Sequence, residues 1–256
     1  MNVKAKKHLG QHFLTDQNIA RKIVEALETK ELTSVLEIGP GTGVLTKYLL
    51  EDPTLLFLAE IDQESIDYLL QNHSKITPST FVGDFLKTDF SFAPEGPIGV
   101  IGNFPYNISS QILFKIIDHH ERIPLTVGMF QKEVAERVAA VPRTKDYGIL
   151  SILVQAYYKV EYLFTVSEQV FNPPPKVKSG VIRLGRISRP DLIGHEGLFK
   201  SIVKAGFNQR RKKLSNALKI LGIPEELKTH EFMDKRAEEL SVEDFIQFAR
   251  LWKNLV

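Results

Sequence analysis

Residues 34–43 are Ser34-Val35-Leu36-Glu37-Ile38-Gly39-Pro40-Gly41-Thr42-Gly43, and this decapeptide indicates the architecture of the chain. Its first half is short and mostly apolar, which predicts a buried β-strand. Its second half has glycine at alternate positions, and glycine permits both a tight turn and close approach of a ligand to the backbone. A strand that ends in such a turn and leads into a helix is where open α/β sheets bind nucleotides.

The segments on either side of this motif alternate between strand and helix patterns. Upstream, Thr15 or Asp16 can cap a helix that runs to about Leu27. Downstream, the alternation predicts a parallel, doubly wound α/β sheet. The predicted strands are Leu55–Glu60, Thr80–Val82, Ile98–Gly102, Thr126–Phe130, Glu161–Val166 and Gly180–Leu184. The predicted helices are Gly43–Leu50, Gln63–Asn72, Ser109–His119, Lys132–Val138 and Ile149–Tyr157.

A domain boundary is predicted within Ile187–Gly194, where Arg189-Pro190 interrupts the periodicity. We expect residues 1–187 to form the α/β domain and residues 188–256 to form a small C-terminal all-helical domain. Its predicted helices are Leu198–Gly206, Arg210–Leu221 and Val242–Lys253.

Composition excludes several classes of protein. Cysteine is absent, which excludes disulfides, thiolate zinc sites and cysteine nucleophiles, including those of RNA methyltransferases that attack pyrimidine carbon-5. No metal-ligand cluster stands out. No apolar run has the length of a membrane span, and the basic start leads into no apolar signal region. We therefore expect a cytoplasmic protein.

Charge is distributed unevenly along the chain, although the formal net charge is only +2. Residues 172–221 contain twelve lysines and arginines against two acids, whereas residues 51–100 contain two basic residues against nine acids. This asymmetry indicates a second half that faces a polyanion. A basic run at the start of the predicted helix Arg210–Leu221 lies at the positive end of the helix dipole, which a structure tolerates more readily when the run binds phosphate. The candidate RNA-binding residues are Lys176, Lys178, Arg210, Arg211 and Lys212.

Two acids lie at the ends of the next two predicted strands, Glu60 as the last residue of one and Asp84 just after the other. Glu60 lies 21 residues after Gly39, about where an acid hydrogen-bonds a ribose diol. Asp84 follows the third strand and can accept a hydrogen bond from an adenine amino group. Val44 stands where a dinucleotide fingerprint needs its third glycine. Together these features predict an adenosine pocket without phosphates, which suits S-adenosylmethionine better than NAD.

The segment Gly102-Asn103-Phe104-Pro105-Tyr106 follows the fourth strand. An adenine amine is a poor nucleophile, because its lone pair is delocalised into the ring. The side-chain oxygen of Asn103 and the backbone carbonyl of Phe104 can accept its N–H groups as charge develops. Pro105 fixes the turn, and Tyr106 can stack on an extruded base.

With these motifs the chain resembles, over nearly its whole length, the KsgA family of ribosomal RNA adenine dimethyltransferases, which is related to the Erm enzymes. The opening Gly10-Gln11-His12-Phe13-Leu14 is similar to the family's segment that closes over the cofactor. Phe171 to Val177 is similar to its late motif, whose aromatic packs on the target base opposite Tyr106. Gln131-Lys132-Glu133 and Phe207 to Lys212 also resemble the family. Phe104 departs from it, since leucine or isoleucine is commoner there.

The resemblance implies a Rossmann-like class I methyltransferase fold and a set of site residues. The implied cofactor-binding residues are His12, Leu14, Gly39, Gly41, Glu60, Asp84 and Asn103. The implied catalytic residues are Asn103, Phe104, Pro105, Tyr106 and Phe171.

The resemblance further implies transfer of two methyl groups to each of two adjacent adenosines near the 3′ end of 16S rRNA, within an immature small ribosomal subunit. It suggests a monomer with a role in subunit biogenesis, whose C-terminal domain binds RNA. Two alternatives stay open at this point: an Erm-like enzyme that acts on large-subunit RNA, and a non-catalytic assembly factor. A dehydrogenase is disfavoured, because the third fingerprint glycine is missing.

Overall fold

The computed structural model of the protein describes residues 3–255, which form two compact units. The first unit takes the chain up to Ala135 and then Lys159–Arg186, and the second takes Glu136–Tyr158 and the residues from Ile187 onward. The chain thus changes unit near the expected boundary at residue 187. The earlier segment, 136–158, differs from expectation, because it is hydrogen-bonded to the C-terminal residues. The Tyr147 hydroxyl donates to the Leu240 carbonyl over 3.0 Å.

The predicted doubly wound α/β sheet is confirmed. The strands are β1 (Phe13–Leu14), β2 (Ser34–Ile38), β3 (Leu55–Ala59), β4 (Ile98–Asn103), β5 (Leu125–Gln131), β6 (Tyr158–Val166), β7 (Phe171–Asn172) and β8 (Ser179–Arg186). Six of them form the main sheet in the order β3-β2-β4-β5-β8-β6, and β1 pairs with β7 separately. The pairs β2–β3, β2–β4 and β4–β5 are parallel, whereas β8 runs antiparallel to β5. The carboxyl ends of β2, β3 and β4 therefore lie at one edge of the sheet.

Capping side chains fix several helix starts. The helices are α1 (Gln17–Glu25), α2 (Thr46–Leu49), α3 (Gln63–Asn72), α4 (Ser109–Asp118), α5 (Lys132–Ala139), α6 (Ile149–Gln155), α7 (Glu196–Asn208), α8 (Leu214–Ala217) and α9 (Val242–Lys253). Asp16 rather than Thr15 caps α1, since its Oδ1 accepts from the backbone N–H groups of Asn18 and Ile19. Asp62 caps α3 in the same way.

Three predicted elements differ clearly from the structure. Thr80–Val82 is not a strand: a 3₁₀ turn at Pro78–Thr80 leaves a single bridge between Phe81 and Leu58. The helix predicted at Gly43–Leu50 is only α2, because the glycine turn occupies its first residues. The helix predicted at Arg210–Leu221 is wrong at its start: residues 209–211 form a turn, and α8 begins at Leu214. The basic run therefore does not open that helix.

The C-terminal part of the second unit is helical, as predicted. Its core is rich in aromatic side chains, including Phe199 on α7 and Phe245, Phe248 and Trp252 on α9. Ser241 closes a capping box with Asp244 at the start of α9. Within residues 3–255 no helix has both the length and the apolar character needed to cross a membrane.

A glycine pair in the main sheet makes room for the ring of Phe104. Gly102 on β4 is paired with Gly128 on β5. A Cβ added to Gly128 would lie 2.5 Å from Cε2 of Phe104 and 2.7 Å from Cε2 of Phe130. The two rings meet edge to face with centroids 4.9 Å apart. The aromatic ring of Phe104 thus fits at this position because both glycines lack side chains.

We expect Gly128→Ala to destabilise the first unit by about 1–3 kcal/mol, since the new methyl group overpacks two buried rings. Gly185→Ala on β8 is the matched control, because a Cβ there meets nothing within 4 Å. Urea unfolding of both variants checks this. Equal midpoints for the two alanine variants would contradict it.

Glu37, near the carboxyl end of β2, is buried and accepts a 2.7 Å hydrogen bond from the Thr46 hydroxyl. Burial raises the pKa of Glu37 to about 8. The folded protein then keeps a proton that the unfolded chain loses above its ordinary pKa of 4.5. The stability that this carboxyl contributes is therefore full at acid pH and is lost as the pH rises towards about 8.

Glu37→Gln keeps the shape of the protonated acid without its titration. The unfolding free energy of wild type relative to this variant should therefore fall between about pH 5 and pH 8. Denaturant unfolding across that range measures it. A difference that does not change with pH would contradict the buried, protonated state.

Candidate active site

The glycine turn after β2 is held against the end of β3. The backbone N–H of Gly39 donates to the carbonyl of Ala59 over 3.0 Å. Gly39 and Gly41 have φ angles of +66° and +53°, in the left-handed region that favours glycine. A Cβ on Gly41 would also lie 2.7 Å from the ring of Phe13. The turn therefore requires glycine for its backbone conformation and for its close contact with the N-terminal segment.

A cavity, which we call the edge cavity, opens beside this turn at the carboxyl edge of the sheet. It is bordered by the glycine turn, by the end of β3, by the residues after β4 and by the N-terminal segment. Its lining residues are Leu9 to Phe13, Gly39, Gly41, Glu60, Ile61 and Asn103 to Ile108. Of the sequence-predicted residues, it brings together His12, Gly39, Gly41, Glu60, Asn103, Phe104, Pro105 and Tyr106.

Glu60 is the acidic group of the edge cavity and is only 7% exposed. Its Oε1 accepts from the N–H groups of Ile61 and Asp62 over 2.8 and 2.9 Å. Its Oε2 accepts, among the described residues, only from the N–H of Gly41, over 3.3 Å. Burial raises the pKa of Glu60, although these backbone donors act in the opposite direction. Because each carboxylate oxygen has two acceptor sites, Oε2 can still accept a bond from a ligand hydroxyl.

Asn103 ends β4 and is fixed by the N-terminal segment. Its Nδ2 donates to the carbonyl of His12 over 2.8 Å. This bond determines which way the amide points, and within residues 3–255 no donor reaches its Oδ1. The adjacent N–H of Phe104 donates to the Met129 carbonyl over 3.1 Å, which continues the pairing with β5. Asn103 therefore presents an oriented acceptor on a rigid strand end.

Tyr106 borders the edge cavity and also a second cavity. Its ring stacks on the imidazole of His12 with centroids 5.5 Å apart and planes inclined by 29°. Its hydroxyl shares a 2.6 Å hydrogen bond with the buried hydroxyl of Ser179 on β8. Burial raises the pKa of Tyr106, so the hydroxyl stays protonated near neutral pH.

The second cavity, the rim cavity, is bordered by the N-terminal segment, the end of β5 and the proline run. Its lining residues are Ala5, Lys7, Gly10, Gln11, His12, Tyr106, Asn107, Gln131 and Pro173 to Val177. Gly10, Gln11, His12, Tyr106 and Asn107 border both cavities. An aromatic wall shared by two adjoining cavities suits two ligands that must meet at one point.

Long-range contacts that the sequence did not reveal hold the N-terminal segment in place. Asp62 at the start of α3 receives the ammonium of Lys6 and, over 3.1 Å, the side-chain amide of Gln11. Nδ1 of His12 lies 2.8 Å from the Pro173 carbonyl. The spacing of these residues along the chain carries no signal for such contacts.

Three of the predicted cofactor-binding and catalytic residues border neither cavity. Oδ1 of Asp84 accepts a 2.9 Å hydrogen bond from the backbone N–H of Leu86, within the same turn. Leu14 and Phe171 are register partners in the β1–β7 pair and are 3% and 4% exposed. The pairing places both side chains in the core, whereas the sequence predicted Phe171 as an aromatic presented to a base. The functional contacts of these residues stay predictions.

The predicted RNA-binding residues lie in both units. Lys176 and Lys178 are exposed in the first unit, and Lys176 borders the rim cavity. In the second unit Arg211 and Lys212 are exposed, whereas Arg210 is engaged within its own unit. The Nε of Arg210 lies 2.6 Å from Oε2 of Glu238, and its Nη2 donates to the carbonyls of Thr144 and Lys145. Arg210 thus has a structural contact that the sequence did not predict.

Comparison with known proteins places this geometry in a family. The family model described as Ribosomal RNA adenine dimethylase matches residues 2–254. The ribosomal RNA small subunit methyltransferase A of Parabacteroides distasonis is 54% identical over 246 residues, which are 96% of this chain and 92% of that protein. Its namesake in Cytophaga hutchinsonii is 53% identical over 251 residues, 97% of each chain.

Solved structures agree with this assignment. A dimethyladenosine transferase from Plasmodium falciparum matches with a TM-score of 0.81 and 28% identity, covering 95% of this chain and 98% of its own. The 23S rRNA methyltransferase ErmE matches with a TM-score of 0.71 and 25% identity, covering 94% and 99%. Since sequence and fold agree over almost the whole length, the chain belongs to the ribosomal RNA adenine dimethylase family.

Proposed function

We propose that the protein transfers methyl groups from S-adenosylmethionine to the exocyclic amines of two adjacent adenosines near the 3′ end of 16S rRNA. One observation carries the proposal: Asn103 presents an oriented acceptor beside Tyr106, where the edge and rim cavities adjoin. The methyl donor would occupy the edge cavity, and the target base would enter from the rim cavity.

The edge cavity fits the adenosyl donor. Backbone at Gly39 and Gly41 can approach a ligand closely, and Oε2 of Glu60 retains acceptor capacity for a ribose hydroxyl. The segment with His12 closes the cavity from the N-terminal side. When bound, S-adenosylmethionine supplies a methyl group on a sulfonium centre. Asp84 and Leu14 stay proposed contacts through the resemblance alone.

The chain's own groups supply the catalysis. Oδ1 of Asn103 and the backbone carbonyl of Phe104 accept the N–H groups of the target amine and stabilise the positive charge that develops on its nitrogen. Because both acceptors are fixed before the substrate arrives, little reorganisation is needed in the reaction. Stacking on Tyr106 offsets part of the cost of extruding the base, by roughly 1–3 kcal/mol. Orientation of the amine towards the methyl group contributes the remaining rate enhancement.

Small-subunit RNA is the substrate that the similarities favour. Two relatives named for the small subunit are 54% and 53% identical to this chain, against 25% for ErmE, which is named for 23S rRNA. A non-catalytic assembly factor is disfavoured, because Asn103 and Glu60 are both retained at the edge cavity. Exposed Lys176, Lys178, Arg211 and Lys212 are proposed to contact RNA phosphates. The proposal includes a monomer that acts in the cytoplasm on an immature subunit.

The experiment that tests the proposal is transfer of tritiated methyl groups from S-adenosylmethionine. The substrates are small ribosomal subunits that lack their 3′-end dimethyladenosines, with large-subunit RNA in parallel. We expect label in dimethyladenosine of the small subunit alone. Label only in large-subunit RNA would instead support the Erm-like alternative. Absence of label from both would favour the assembly factor.

In the same assay Asn103→Ala should lower methyl transfer at least about a hundredfold, because the variant lacks a preorganised acceptor of the kind that typically contributes this much. Its affinity for the small subunit, measured by filter binding, should stay close to wild type. Retention of most of the turnover would contradict the acceptor role of Asn103. A parallel loss of subunit binding would show that Asn103 acts in docking instead.

A further inference from the structure

The last residue of β5, Gln131, has a side-chain amide to which the proposed mechanism assigns no role. Gln131 is half-buried, borders the rim cavity and is register-paired with Ser179. Within residues 3–255 its side-chain amide makes no hydrogen bond. Polar groups in partly buried positions are usually paired, so an amide left without a partner at a cavity is available to a ligand.

The other side-chain amides of the site are already engaged. Asn103 donates to His12, Gln11 is bound to Asp62 and to the N–H of Lys6, and Asn107 contacts the His8 carbonyl. These three side chains hold the site together. Gln131 differs from them, since nothing in the described part of the chain fixes its donor or its acceptor.

The register places Gln131 within reach of a base held by Asn103. Asn103 is paired with Met129, and Gln131 lies two residues further along the same strand. That interval is roughly 6–7 Å, and successive side chains two residues apart project on the same side of a strand. Tyr106 lies at both cavities, so a base stacked on its ring and bound at Asn103 would extend towards the amide of Gln131.

The target amine alone does not identify adenine, because cytosine also carries an exocyclic amine beside a ring acceptor. Adenine is distinguished on its other edge, where N7 lies next to the amine, whereas cytosine has only a C–H group there. A glutamine amide is complementary to this N6/N7 edge. In the proposed site Asn103 and the Phe104 carbonyl already accept the N6 hydrogens, so N7 is the position that still needs a donor.

We propose that Gln131 is a specificity-determining residue whose Nε2 donates a hydrogen bond to N7 of the target adenine. The inference rests on the proposed function and adds the group that selects the base. Rejection of cytosine would follow, since a cytosine placed with its amine at Asn103 leaves the Gln131 amide without a partner.

The test pairs a protein variant with a substrate analogue. Gln131→Met has a similar length but no amide, and 7-deazaadenosine replaces N7 by C–H while keeping the amine. Small-subunit RNA with ordinary adenosine or 7-deazaadenosine at both target positions is prepared by ligation of a synthetic 3′ fragment and assembled into subunits. Gln111→Met is the control, because Gln111 is exposed on α4 and borders neither cavity.

Wild type and the control should lose about tenfold in kcat/KM when N7 is replaced, as expected for one hydrogen bond. Gln131→Met should lose about tenfold with ordinary adenosine and nothing more with 7-deazaadenosine, because the same bond is already missing. Its affinity for S-adenosylmethionine and its unfolding midpoint should equal those of wild type. A purely structural role would not produce this dependence on N7.

Two results would overturn the inference. In one, Gln131→Met is as active as wild type on ordinary adenosine. In the other, kcat/KM of the variant falls about tenfold further on 7-deazaadenosine, which would show that another group binds N7. Failure of the proposed function is a separate outcome, since wild type would then label no ordinary adenosine at all.

Discussion

The hydrogen bond from the Asn103 amide to the His12 carbonyl joins two parts of the chain that are 91 residues apart, and the site depends on it. It ties the end of β4 to the N-terminal segment, which forms a side of both cavities. It also leaves Oδ1 of Asn103 available as an acceptor, which we propose binds the substrate amine. The same segment places the His12 ring against Tyr106 and is held by Asp62 through Lys6 and Gln11. A change that releases the segment would therefore disturb the acceptor, the stacking surface and the cavity walls together.

The packed core holds the carboxyl edge of the sheet in place through Phe104. The ring of Phe104 fills the space over Gly102 and Gly128, while its backbone N–H continues the ladder to Met129. A side chain locked in the core thus fixes the backbone carbonyl that the proposed mechanism uses. Catalysis by fixed dipoles requires this rigidity, because acceptors that move would have to be reoriented at every turnover. The packing of the core and the proposed catalytic role thus depend on the same residue, Phe104.

Local signals predicted the elements whose structure is decided locally. Gln63–Asn72 and Val242–Lys253 match the structure at both ends, and their starts are fixed locally by the N-caps Asp62 and Ser241. Elements that depend on distant partners were not predictable. Pairing of β1 with β7 buries Phe171, and the contact with Glu238 holds Arg210 in a turn instead of a helix. The predicted cofactor and catalytic residues lie largely together, since they follow parallel strands, whereas the contacts that orient them come from residues far apart in sequence.

Titration with S-adenosylmethionine by calorimetry is the most direct measurement of whether the carboxyl edge of the sheet holds the methyl donor. Wild type is compared with Glu60→Ala, and with Glu95→Ala as a control at an exposed acid outside both cavities. We expect the Glu60 variant to bind at least about tenfold more weakly, because it lacks a hydrogen bond to a charged acceptor, and the control to bind as wild type does. Equal affinities for all three proteins would contradict a donor site at this edge.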